Sequence, residues 1–79
     1  MIIKILDKER QNLDRLEREV FEALTKINIV GSVEKHQNFD KFSKYDIKET
    51  PVIIVNNKIK VSGKLPQIEE LVKYIEEEI

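Results

Sequence analysis

Few side chains in this chain can take part in acid–base, metal or nucleophilic chemistry. The sequence has one histidine, His36, and no cysteine, which excludes a thiol nucleophile, a disulfide, an iron–sulfur cluster and a thiolate zinc site within it. No nucleophile accompanies His36, so we interpret it as a solvated strand-end residue rather than a general base. The carboxylates of Asp7, Glu9 and Asp14 match no calcium-loop spacing and are interpreted as a hydrated surface. We therefore expect no catalytic residue, no metal and no cofactor.

Three lysines near the carboxyl end have a binding interpretation beside a structural one. Lys58, Lys60 and Lys64 can form a basic strip, or they can guard an edge strand against aggregation, which is the interpretation we favour. The formal net charge of -1 gives no basic excess of the kind that nucleic-acid binders carry. We therefore expect no nucleic-acid partner.

Length and composition limit the architecture. The 79 residues, 41% of them hydrophobic, predict a single small domain over residues 1–79. The first apolar stretch, Ile2–Leu6, is interrupted by Lys4 and is too short for a signal peptide or a membrane span. We expect a soluble, cytoplasmic protein without a membrane partner.

Hydrophobic patterns predict seven elements in the order β-α-β-α-β-β-α. The four predicted strands are Ile2–Leu6, Ser32–His36, Val52–Val55 and Lys58–Ser62. An apolar stripe from Leu13 to Ile27 predicts the first helix, Asn38 is the predicted N-cap of a short second helix, and Pro66 opens the last one. Asn56–Asn57 is the predicted turn of an antiparallel hairpin. The expected fold is α/β, with a mixed four-stranded sheet covered by helices on both faces.

Several of these segments resemble a known family. The segments Ile2–Leu6, Leu16–Glu17, Thr50–Pro51 and Val61–Pro66, in that order, are similar to the short thioredoxin/glutaredoxin-like "redox-active disulfide" family. The similarity covers nearly the whole chain. It implies a thioredoxin-like three-layer fold with sheet order 4-3-1-2 and the third strand antiparallel to the others.

The chain departs from this family at the active site. Members carry a Gly-Cys-x-x-Cys loop between the first strand and the first helix, and the two cysteine positions hold Arg10 and Leu13 here. Disulfide exchange needs an attacking thiolate and a resolving thiol, and neither residue supplies one. Leu13 is interpreted as a core residue. Arg10 puts a cation at the helix amino end, at a cost of about 0.3–1 kcal/mol unless Asp7, Glu9 or Asp14 offsets it. It is either drift after loss of the site or a contact for an acidic partner.

Thr50–Pro51 occupies the position of the family's cis-proline. The resemblance implies that this bond exposes the Thr50 backbone to an extended peptide, which can pair with it by strand addition. The alternative is that Pro51 only shapes the turn into the third strand. Both interpretations remain open at this point.

The leading hypothesis is a redox-inactive binding module for a protein or peptide partner, either a monomer or a weak dimer. The alternative is a diverged enzyme that relies on an external thiol such as glutathione, or a cysteine-free variant of an active one. The expected binding surface lies at the carboxyl end of the first strand. Its residues are Lys8, Glu9, Arg10, Gln11, Thr50, Pro51, Ser62, Gly63 and Lys64.

Overall fold

The computed structural model describes residues 1–79. Its elements are β1 (Ile2–Leu6), α1 (Arg10–Lys26), β2 (Ser32–His36), a 3₁₀ segment (Asp40–Tyr45), β3 (Val52–Val55), β4 (Lys58–Ser62) and α2 (Ile68–Glu76). All four strands have the predicted bounds. None of the helices has the length and apolar content that a membrane span requires.

The four strands form one mixed sheet in the order β2-β1-β3-β4, which is the predicted order read from the opposite edge. β1 is parallel to β2 and antiparallel to β3, and β4 is antiparallel to β3, so β3 alone opposes the others. Asn56 and Asn57 have φ angles of 48° and 70°, the left-handed values that a tight hairpin turn needs. The predicted topology is confirmed.

The larger core lies between one face of the sheet and the two α-helices. The apolar stripe of α1 supplies five buried residues: Leu13, Leu16, Val20, Ala23 and Leu24. They pack on Ile3, Ile5 and Ile53 of the sheet, while Leu71 and Ile75 enter from α2. Full burial of each such side chain stabilises the fold by about 1.5–3 kcal/mol, so α1 is held mainly by this contact.

A smaller core covers the opposite face of the sheet and completes the three layers. Phe42 of the 3₁₀ segment packs on Leu6, Val52 and Ile54, with Phe39, Tyr45 and Ile47 partly buried around it. The strand period of two sends alternate residues to opposite faces, which explains why β3 is buried along its whole length.

Two predicted helix starts are wrong by one or two residues. α2 begins at Ile68 rather than Pro66, because Gln67 is extended with ψ 161° and its N–H donates to Glu70 Oε1 at 3.0 Å. The 3₁₀ segment begins after Phe39 rather than Asn38. The Asn38 Oδ1 still accepts the Asp40 N–H at 2.9 Å, a bond to the backbone two residues on that is typical of asparagine.

The three lysines of the predicted strip each contact a glutamate on or just after α2. Lys60 Nζ lies 2.7 Å from Glu78 Oε2 and Lys58 Nζ lies 3.4 Å from Glu78 Oε1, while Lys64 Nζ lies 2.7 Å from Glu70 Oε2. These pairs connect β4 and the corner after it to α2. A free basic strip is therefore not formed.

Candidate functional site

The predicted surface residues lie at one edge of the sheet, here called the β1 carboxyl edge. Leu6 at the end of β1 is opposite both His36 and Val52, and Val52 is opposite Ser62. The last residues of β1, β2 and β4 therefore meet the first residue of β3. The segments that extend beyond this edge are residues 7–11, Gln37, Thr50–Pro51 and residues 62–64.

Backbone contacts hold these segments together. The Asp7 N–H donates to the His36 carbonyl at 3.1 Å, and Gln37 Nε2 donates to the Lys8 carbonyl at 3.1 Å. On the other side, the Gly63 N–H donates to the Pro51 carbonyl at 2.9 Å. The geometry brings the three predicted segments to one end of the sheet; their role in binding remains a prediction.

Asp7 corrects the prediction of a hydrated carboxylate surface. Its residue is only 2% exposed. Its Oδ1 accepts the Glu9 N–H at 2.9 Å and its Oδ2 accepts Asn12 Nδ2 at 3.0 Å. Two such bonds satisfy a carboxylate that would otherwise be costly to bury. Asp7 is thus an internal brace for the loop that leads into α1.

Of the three carboxylates considered as partners for Arg10, Asp14 is the one that contacts it. Arg10 Nε lies 3.4 Å from Asp14 Oδ1, with the arginine side chain 68% exposed. Lys35 Nζ lies 3.0 Å from the same oxygen and 3.1 Å from Glu17. The hydrogen bond from Lys35 lowers the pKa of the Asp14 carboxyl, and the Coulombic attraction of Lys35 and then Arg10 adds to it.

The three acidic residues do not converge. Asp7 faces inward and Asp14 faces Lys35, and no group of three or more histidine, aspartate or glutamate side chains has the arrangement of a metal site.

His36 also differs from its prediction as a solvated residue. Its side chain is 24% exposed, with Nε2 2.9 Å from Glu34 Oε1 and the ring 4.7 Å from that of Phe42. Contact with the smaller core covers it.

The Thr50–Pro51 peptide bond is cis. Pro51 is buried and Thr50 is half-buried. The N–H and carbonyl of Thr50 make no hydrogen bond within the chain, whereas the Pro51 carbonyl accepts from Gly63. Two backbone groups at this turn thus have no hydrogen-bond partner within the chain.

Gly63 is a position that requires glycine. Its φ is +88°, which strains any L-residue with a side chain, and a Cβ there would also require the exposed Glu49 side chain to move. Lys64 beyond it bonds to Glu70, and this hydrogen bond raises the pKa of Lys64. The positive charge of Lys64 is therefore directed back to α2.

Two depressions lie beside the β1 carboxyl edge. The larger, of about 500 Å³, has only polar lining residues: Lys35, His36, Gln37, Asn38, Asp40 and Lys41. The smaller, of about 170 Å³, is lined by Lys8, Phe39, Ile47, Lys48 and Thr50. Only Lys8 and Thr50 of this second set were predicted. The sequence pattern does not single out Phe39, Ile47 or Lys48 as binding residues, and nothing in the sequence brings Lys48 and Lys8 to the same depression.

Comparison with known proteins agrees with this architecture. A search of curated proteins finds no match. A family model described as "Thioredoxin domain" matches residues 1–76, which is nearly the whole chain. The sheet order and the single antiparallel strand β3 are those expected from the resemblance, with the two α-helices on one face of the sheet and the 3₁₀ segment on the other. The chain belongs to the thioredoxin-domain family.

Proposed function

We propose that this domain binds an extended peptide segment of a protein partner at the β1 carboxyl edge and takes no part in disulfide exchange. The observation that carries the proposal is the meeting of residues 8–11, 50–51 and 62–64 at one edge that holds no sulfur. The domain acts as a monomer or weak dimer, and the cytoplasm is the proposed compartment.

The residues at the family's two cysteine positions support the loss of redox chemistry. Leu13 is 1% exposed and belongs to the larger core, where it has a packing role. Arg10 is exposed and contacts Asp14. Neither side chain can attack a disulfide or resolve a mixed disulfide.

The turn at Thr50 supports peptide binding. Its free N–H and carbonyl can pair with the backbone of an extended chain, while the adjacent small depression can receive a side chain. This combination is the basis of recognition by strand addition, in which backbone bonds supply affinity and pockets supply specificity.

Affinity capture with substitutions tests the proposal. Arg10→Glu and Thr50→Trp alter the proposed surface, whereas Arg18→Glu and Thr25→Trp make the same changes on exposed parts of α1. We expect the first pair to release a peptide or protein that the second pair retains. Retention by all four variants contradicts the proposal.

A reduction assay tests the redox part separately. A disulfide substrate is incubated with glutathione, with and without the domain. We expect equal rates, because the chain has no sulfur that can enter a mixed disulfide. A rate above the glutathione background contradicts the proposal and favours an enzyme that uses an external thiol.

A further inference from the structure

We infer that the small depression of about 170 Å³ beside Thr50 selects acidic peptides: it takes one apolar side chain and pairs with side-chain carboxylates on either side of it. The inference deepens the proposed function and depends on it. The five lining residues have two chemistries, since Phe39 and Ile47 are apolar and Lys8 and Lys48 are cationic.

The apolar part of the depression has firm support. Phe39 and Ile47 are each half-buried and pack against the smaller core of Leu6, Phe42, Val52 and Ile54. They therefore present one face to the depression while the other face is fixed. A cavity of about 150 Å³ with apolar walls binds benzene, so this one is large enough for a single leucine or phenylalanine side chain.

The two lysines are free to bind an anion. Lys8 Nζ contacts no carboxylate in the structure. Lys48 Nζ lies 3.8 Å from Asp46 Oδ2, and both side chains are at least 80% exposed, so water screens this contact strongly. By contrast, Lys35, Lys60 and Lys64 contact carboxylates at 2.7–3.1 Å. The lysines beside the depression lack such competition.

The position of Lys8 is fixed by its backbone. The Lys8 carbonyl accepts Gln37 Nε2, and the preceding residue, Asp7, is buried and bonded to Glu9 and Asn12. The ammonium group thus extends from an anchored loop. The loop backbone is therefore already ordered before binding, whereas the exposed Lys8 side chain keeps its rotamer freedom.

The ligand that fits this arrangement is an extended peptide with alternating apolar and acidic residues. Its backbone reaches the free N–H and carbonyl of Thr50, an apolar side chain enters between Phe39 and Ile47, and flanking carboxylates meet Lys8 and Lys48. A neutral peptide of the same shape retains the first two contacts and loses the third.

Two pools of blocked octapeptides test the inference. Both have apolar residues at alternate positions; the remaining positions are Asp or Glu in one pool and Asn or Gln in the other. Binding is followed by amide shifts in NMR spectra of the intact domain. We expect the acidic pool to shift residues 8, 39 and 47–50, and to bind about tenfold more tightly than the amide pool. Raising the salt from ~0.05 M to ~0.5 M should weaken binding of the acidic pool alone.

Matched variants identify the responsible charges. Lys8→Gln with Lys48→Gln should reduce affinity for the acidic pool about tenfold, whereas Lys26→Gln with Lys73→Gln removes the same charge from exposed helical sites and should leave it unchanged. Equal binding of both pools at residues 8, 39 and 47–50 overturns the inference but retains the proposed function. Absence of shifts there with either pool overturns both.

Discussion

The carboxylate of Glu49 occupies the space into which a side chain at Gly63 would extend, so the loop before β3 and the corner after β4 are in contact. The neighbouring bond from the Gly63 N–H to the Pro51 carbonyl, at 2.9 Å, adds a second connection. Together they fix the relative positions of two of the three segments at the β1 carboxyl edge.

Gly63→Ala should destabilise the protein by about 1–3 kcal/mol, because it forces an L-residue to a φ of +88° and places a methyl group against Glu49. Urea unfolding measures the change. Glu49→Ala in the Gly63→Ala background should recover the part of the cost that comes from the carboxylate, and leave the contact with the Cβ at position 49 and the backbone part of about 1–2 kcal/mol. Wild-type stability of the single variant would contradict this account of the corner.

Asp7→Ala should cost about 1–3 kcal/mol, because it leaves the Glu9 N–H and the Asn12 amide without their acceptor in a covered position. Asp7→Asn keeps one oxygen and should cost less. The free energy of unfolding and the amide shift of Glu9 report on the two effects. If alanine and asparagine were equally tolerated, Asp7 would not brace the loop.

Leu13→Ala should lower the free energy of unfolding by about 2–5 kcal/mol, the usual cost of a cavity in a packed core. Arg10→Ala, at the other position where the resemblance implies a cysteine in the family, should change it by less than about 0.5 kcal/mol because Arg10 is exposed. Denaturant unfolding of both variants measures the contrast. Similar costs at the two positions would refute the assignment of Leu13 to packing.

Ionisation of Glu78 should make the free energy of unfolding depend on pH in the acidic range. The hydrogen bond from Lys60 lowers the pKa of Glu78 below its ordinary value of 4.5, and Lys58 contributes further. A lowered folded-state pKa stabilises the protein above the unfolded-state value, and this contribution disappears as the pH falls through the folded-state pKa. Glu78→Gln should therefore be less stable than wild type at about pH 6, and this difference should shrink as the pH is lowered toward about pH 3.

Unfolding of the wild type and Glu78→Gln at both pH values measures this difference. Glu76→Gln is the control, because Glu76 is exposed and contacts no lysine or arginine. A gap between the wild type and Glu78→Gln that stays the same at both pH values would show that the ionisation of Glu78 does not stabilise the fold.

The strands were predictable because each is a short β-branched or alternating run bounded by turn residues. The stripe of α1 was predictable for the same kind of reason, since a period of 3.6 distinguishes its buried from its exposed face. The start of α2 was less so, because Pro66 is compatible with the first helical position and also with the extended backbone before it.

The site was predictable only in part. The resemblance brought the β1–α1 loop, Thr50–Pro51 and the corner at Gly63 to one edge, and the strand register agrees. Asp7 was wrongly predicted to lie on the surface because it stands in a run of charged residues. Its two oxygens accept hydrogen bonds from Glu9 and Asn12, which are at most five residues away. Lys48 and Lys8 line the same depression only after the 3₁₀ segment folds over the sheet, a relationship that no local pattern contains.

The burial of Leu13 has a consequence for how this lineage can change. A pair of cysteines at the two positions needs one substitution at an exposed position, Arg10, and one inside the larger core. The second exchanges a well-fitted side chain for a smaller one and so reduces stability before any new activity can be selected. Acquisition of such a pair is therefore opposed at the interior position alone.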